Sequence, residues 1–123
     1  MFLNGRSRWS LVLALAALLA SAACGPTSVQ ITQRGMAIEL VGTEAAVAGC
    51  RFVGNLRARM GQNFRTYETN VELAGIDLRN QAGRKGATHL LLGEPKPRER
   101  TEWGAGCANC LEQNARAFAC PAP

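Results

Sequence analysis

Apolar residues recur at Val71, Ala74, Gly75, Leu78 and Ala82, one stripe of a 3.6-residue helix, while Glu72, Asp77, Arg79, Asn80 and Arg84 fall mostly outside it. Thr69 precedes Glu72 by the capping-box spacing, so its hydroxyl can accept from a first-turn amide that otherwise lacks a partner. Arg84 and Lys85 suit the negative end of the helix dipole, and Gly86 is the expected left-handed stop. Gly75 within the stripe costs about 1 kcal/mol against alanine, which predicts a helix lying close on a sheet. Residues 87–93 (ATHLLLG) then read as an apolar strand covered on both faces, or on one face plus a lipid or a partner.

The remaining text reads as sheet and connections. Residues 36–42 (MAIELVG) alternate with period two, placing Met36, Ile38 and Leu40 on one side. A small-residue connection, 43–49, leads to a second strand at 50–59, with Cys50, Phe52 and Leu56 on the apolar side and Arg51, Val53, Arg57 and Arg59 mainly on the wet side. Gly54 inside it predicts a bulge or a close backbone approach, and the two strands are expected to form a hairpin. Residues 60–68 carry no period and read as a loop with Phe64 and Tyr67 folding back. Residues 94–113, punctuated by Pro95, Pro97, Gly104 and Gly106, read as a long loop, and 114–120 (NARAFAC) as a short closing strand. The predicted fold is α+β: a small, mostly antiparallel sheet of three or four strands with one main helix packed on it.

The first residues change what counts as fold. Arg6 and Arg8 precede an unbroken apolar run at 11–20, followed by Ser21, Ala22, Ala23 and Cys24. The run is half the length a membrane-spanning helix needs, about 20 residues, and has the form of an export signal. Two cleavages compete. Ala20-Ser21-Ala22 fits ordinary signal cleavage, whereas Ser21-Ala22-Ala23-Cys24 resembles a bacterial lipobox with Ser21 where leucine is usual. Of five cysteines, acylation of Cys24 leaves the even set Cys50, Cys107, Cys110 and Cys120. The expected organisation is a leader at 1–23, an acylated N-terminus and tether at 24–35, and one domain at 36–123. Gly25 in place of aspartate favours the outer membrane over inner-membrane retention.

Charge narrows partners little. Arg6 and Arg8 belong to the leader, so the mature chain carries 12 basic against 9 acidic residues, a net of +3. Scattered arginines on an exported chain describe a solvated, mildly basic surface, not a nucleic-acid binder.

Several segments together resemble the domain-of-unknown-function 4156 family of small bacterial lipoproteins. They are Cys24 after the leader, Cys-Arg-Phe-Val-Gly from Cys50, and Asp77-Leu78-Arg79-Asn80-Gln81-Ala82 on the helix. Gly86-Ala87-Thr88 before an apolar strand and the aromatic-x-Cys from Phe118 to Cys120 complete the pattern. The chain is also distantly similar to RcsF, an outer-membrane stress-sensor lipoprotein. These resemblances imply an envelope protein anchored in the lipid bilayer through Cys24 and facing the periplasm. They imply a small α/β domain tied by disulfides that works by contact with an envelope protein, with no enzymatic activity. The loop with Cys107 and Cys110 is outside the family pattern.

Four cysteines allow three pairings. Cys50 opens one strand and Cys120 ends another, which favours Cys50–Cys120 with Cys107–Cys110; a crossed arrangement stays open. The Cys-x-x-Cys spacing also admits a thiol-redox motif, which needs a thiol of lowered pKa. A metal site using both cysteines, His89 and one further cysteine is weighed against oxidation of those thiols after export. His89, the only histidine, is read as a satisfied strand residue, without a catalytic partner pattern. Asp77, Arg79 and Asn80 form a possible partner surface whose plainer reading is a solvated helix face. Trp103 is an exposed-aromatic candidate for partner contact. No cofactor, metal or catalytic residue is expected.

Overall fold

The computed structural model describes residues 29–61, 65–101 and 103–123. The leader, Cys24 and Phe64 lie outside them. The chain is α+β, a mixed five-strand sheet with one main helix on one face and two disulfides. In chain order the elements are α1 (Gln33–Met36), β1 (Glu39–Val41), a 3₁₀ turn (Glu44–Val47), β2 (Arg51–Met60), α2 (Tyr67–Arg84), β3 (His89–Leu92), β4 (Lys96–Arg100) and β5 (Gly106–Ala119). The sheet order is β1-β3-β5-β2, with β4 also paired to β5.

β5 is the hub. β2 runs antiparallel along one side of it, from Arg51 opposite Ala119 to Met60 opposite Leu111. Along the other side β3 pairs with the far half of β5, Leu92 opposite Ala115, and β4 with the near half, Lys96 opposite Glu112. β1 joins β3 in parallel, Leu40 opposite Leu90.

Helix α2 supplies the cover. Its buried stripe contains Ala74, Leu78 and Ala82, packed on Leu56, Ala58, Leu90, Leu111, Ala115 and Ala117 from three strands. Leu78, Leu90 and Leu111 are fully buried, each worth roughly 1.5–3 kcal/mol over exposure. The helix begins a turn earlier than Thr69 and Glu72 suggest. Thr66 is the N-cap, its hydroxyl accepting from the Thr69 amide at 3.2 Å and donating to the Thr69 hydroxyl. Two threonines three apart offer the same signal, and Tyr67, packed against the core, settles it for the earlier one. The stop is as expected: Gly86 has φ +75°, and the Gly86 and Ala87 amides donate to the carbonyls of Gly83 and Ala82 at 3.2 and 3.0 Å, the paired bonds of a Schellman end.

The reason for a glycine in the helix moves from Gly75 to Gly83. A Cβ at Gly75 would have nothing within 4 Å. A Cβ at Gly83 would lie 2.8 Å from Arg34 Cβ and 2.9 Å from the Arg34 carbonyl carbon. The close neighbour is therefore α1, not the sheet. Residues 30–35, part of the segment read as a tether, dock on α2 together with Met36: Gly35 is buried, and Asn80 holds Thr32 and Gln30.

Four expectations about strands are overturned. Residues 36–42 and 50–59 do not form a hairpin; β1 and β2 lie on opposite edges, with β3 and β5 between them. Met36 ends α1, and Met36 and Leu40 are 56% and 47% exposed, leaving Ile38 as the buried member. Residues 94–113 are not one loop, since β4 and the first half of β5 form an antiparallel pair. Phe52 leaves the apolar face. The register shifts between Phe52 and Gly54, the bulge that Gly54 predicts, which turns Val53 toward the core and leaves Phe52 half-exposed.

Candidate functional site

The single main helix lies on one face, and among the described residues no helix or strand covers the other face of the sheet. Alternation along β5 sorts its residues: Leu111, Gln113, Ala115 and Ala117 are buried beneath α2, while Glu112, Asn114, Arg116 and Phe118 point away. Register brings Arg59 opposite Glu112, Arg57 opposite Asn114, Asn55 opposite Arg116 and Phe52 opposite Phe118. From the other side Lys96 faces Glu112, and Leu91 faces Arg116. The open face thus grades from an aromatic pair, Phe52 and Phe118, with ring centroids 5.6 Å apart, to a cationic end.

At the cationic end three arginines converge on one carboxylate. The Nε atoms of Arg57, Arg59 and Arg98 lie 3.2, 3.4 and 3.9 Å from Glu112 oxygens. Arg116 pairs with Glu44 of the 3₁₀ turn. Glu112 and Arg98 are partly buried and Arg57 and Glu44 are exposed; exposed pairs contribute about 0–1 kcal/mol each, so the main effect of these pairs is to hold guanidinium groups in place. Between the two centres runs a groove of about 900 Å³, lined by Thr43, Glu44, Asn55, Arg57, Leu91, Asn114 and Arg116 among others. Asn55 and Asn114 are exposed on its floor.

The Cys107–Cys110 disulfide is at the start of β5, its Cα atoms 5.5 Å apart. Cys110 is buried and Cys107 half-buried. A smaller hollow of about 220 Å³ beside it is lined by Arg59, Met60, Gly61, Arg98, Trp103 and Cys110. Gly61 is fixed by this contact: its φ is +143° and a Cβ would meet Cys110 Sγ. The second disulfide, Cys50–Cys120, joins residues 70 apart at the end of the β2–β5 ladder.

The proposed helix surface divides. Asn80 is only 6% exposed. Its Oδ1 accepts from the Thr32 amide at 2.9 Å and the Thr32 hydroxyl at 3.1 Å, and its Nδ2 donates to Gln30 O at 2.8 Å. It is a clamp, not part of a contact surface. Asp77 accepts from Gln81, whose amide also donates to Arg57 O on β2, and Arg79 is half-buried with Nε unpartnered. Trp103, in contrast, is 88% exposed.

His89 sits in a latch. Its Nε2 lies 3.0 Å from Glu39 and its Nδ1 2.8 Å from Thr88 Oγ1, which also accepts from the Cys120 amide at 2.8 Å. The order acid, imidazole, hydroxyl is that of a relay, but the hydroxyl is engaged by the backbone and ties β3 to the disulfide. Among the described residues no three His, Cys, Asp or Glu side chains gather as a metal site, and no helix is long and apolar enough to cross a membrane.

The arginine cluster is hidden in the sequence because Arg98 falls in the segment that reads as one loop. The signal was present in the alternation of Lys96, Arg98 and Arg100. No known protein family, curated protein or solved structure matches the chain.

Proposed function

We propose that the protein is an exported envelope lipoprotein, anchored by acyl chains on Cys24, facing the periplasm from the outer membrane and acting as a non-enzymatic interaction or sensing module. The observation that carries this reading is cysteine use. The four cysteines after Cys24 are consumed in two disulfides, which persist in oxidising compartments, and the fifth follows a leader of the export type. An open, charged sheet face and an exposed Trp103 support work by contact with another envelope protein. The test is labelling with palmitate in the producing bacterium. Label is expected on the wild-type chain and not on Cys24→Ser, which should leave the membrane fraction; a Cys24→Ser chain that keeps its label refutes the anchor.

A second reading, thiol–disulfide exchange at Cys107–Cys110, is favoured by one observation: Arg59 and Arg98 line the hollow beside Cys110, and cations stabilise a thiolate. A substrate thiolate would attack the half-exposed Cys107 sulfur, expelling the Cys110 thiolate. The second substrate thiolate would then displace Cys107, leaving the substrate oxidised to a disulfide and the protein as a dithiol. Thiol titration against glutathione buffers decides it. A pair still oxidised at the poise of a periplasmic-type exchange protein, about −180 to −120 mV, and reduced below it supports exchange. A pair that resists reduction to below about −300 mV is structural.

A further inference from the structure

We infer that the open face of the sheet, centred on the groove between Arg57 and Arg116, is a docking surface for an acidic, extended segment of another protein. This rests on the reading of the chain as an interaction module and names its surface and the chemistry of its partner. Charge complementarity is the first argument. Arg57, Arg59, Lys96, Arg98 and Arg116 occupy this face by register and parity; among the described residues Glu112 and Glu44 pair with them, and Glu39 of β1, on the same face, pairs with His89 instead. Arg57 and Arg98 both draw on the Glu112 carboxylate, and a guanidinium carries five N–H donors, so each keeps donors for a further acidic group.

The lining selects an extended acidic chain over other anions. The exposed amides of Asn55 and Asn114 stand on the groove floor on neighbouring strands, with no hydrogen bond of their own among the described residues. Each offers a donor and an acceptor, the pair a peptide backbone presents. Leu91 in the groove and the Phe52–Phe118 pair beyond it add apolar contact on the same face. A chain with acidic and apolar side chains satisfies all three kinds of group; a phosphate polymer satisfies only the cations. Among the described residues nothing closes over the groove, whereas small-molecule sites enclose about 70–90% of the ligand surface.

The test measures fluorescence anisotropy of a short labelled peptide of alternating glutamate and leucine against the mature full chain in mild detergent. It is compared with a lysine–leucine peptide, inorganic polyphosphate and vesicles containing anionic lipid. The acidic peptide is expected to bind more tightly than every comparator. Binding should fall by about tenfold or more in the isosteric double variant Asn55→Asp with Asn114→Asp, because like charge opposes docking. It should stay within about twofold for Arg84→Glu on the helix side. Arg116→Gln, which adds no charge, should also weaken binding and keeps the test decisive if the double variant does not fold. Absence of peptide binding, equal loss in Arg84→Glu, or tighter binding of polyphosphate or vesicles overturns the inference. Palmitate labelling of Cys24 is read separately, so loss of peptide binding leaves the anchor reading standing, and the reverse.

Discussion

Two glycines of α2 provide a matched experiment, because the same substitution is expected to have opposite signs. In a helix interior, alanine is favoured over glycine by about 1 kcal/mol. At Gly75 nothing lies within 4 Å of the added methyl, so Gly75→Ala should gain most of that, raising the melting temperature by about 4–8 °C for a domain of this size. At Gly83 the same gain meets a wall: Arg34 Cβ at 2.8 Å, the Arg34 carbonyl carbon at 2.9 Å and the Gly35 amide nitrogen at 3.1 Å. Two of these contacts are backbone, which cannot rotate aside. Overpacking of this kind costs about 1–3 kcal/mol, so Gly83→Ala should be neutral at best and destabilising by about 2 kcal/mol at worst. Thermal and urea unfolding of disulfide-intact protein, followed by circular dichroism, measures both. If Gly83→Ala stabilises as much as Gly75→Ala, α1 does not rest on α2 and the docking of residues 30–36 is refuted.

Asn80→Ala removes three hydrogen bonds that hold Thr32 and Gln30, worth about 1 kcal/mol each. Hydrogen exchange should show faster amides at Gly35 and Met36, with the sheet amides unchanged; an unchanged Met36 amide would contradict the clamp. The two disulfides should differ in worth. Cys50–Cys120 spans 70 residues, so replacing both with serine should cost roughly 4 kcal/mol by loop-closure entropy. Cys107–Cys110 spans three, and its loss should cost about 2 kcal/mol or less. Urea midpoints of the two double-serine variants compare them, and equal losses would contradict the entropic account.

The features legible in the sequence were those decided within a few residues. Gly86 stops α2 because a left-handed residue is needed one step past its end, and Gly54 marks the bulge. What was not legible depended on partners distant in the chain. β1 looked like the first arm of a hairpin, but its neighbour is β3, nearly fifty residues on. β4 was hidden by Pro97, which a strand tolerates where the missing N–H is not needed, and β4 pairs only with β5. The first half of β5 is hidden by Gly104 before it and Gly106 at its start, which with Pro95 and Pro97 read as the punctuation of one loop. Phe52 followed the right parity on the wrong side of a bulge. The arginine cluster was lost with β4, since Arg98 reaches Glu112 only once the strand exists.

The position of β5 has a consequence for how the molecule comes into being. It follows β2, β3 and β4 in chain order and is the strand to which each of them bonds. A chain synthesised from its N-terminal end therefore delivers β2 and β4 without a strand partner, and β3 paired with β1 alone, before the template that unites them. β1 and β3 alone make a two-stranded pair, which is marginal in water, and α2 lacks half of its apolar floor until Leu111, Ala115 and Ala117 arrive and hold Leu56, Ala58 and Leu90 in one sheet. Assembly waits for the final segment and then draws in contacts distant along the chain, a topology that folds slowly. Until then, most of the polypeptide stays unfolded.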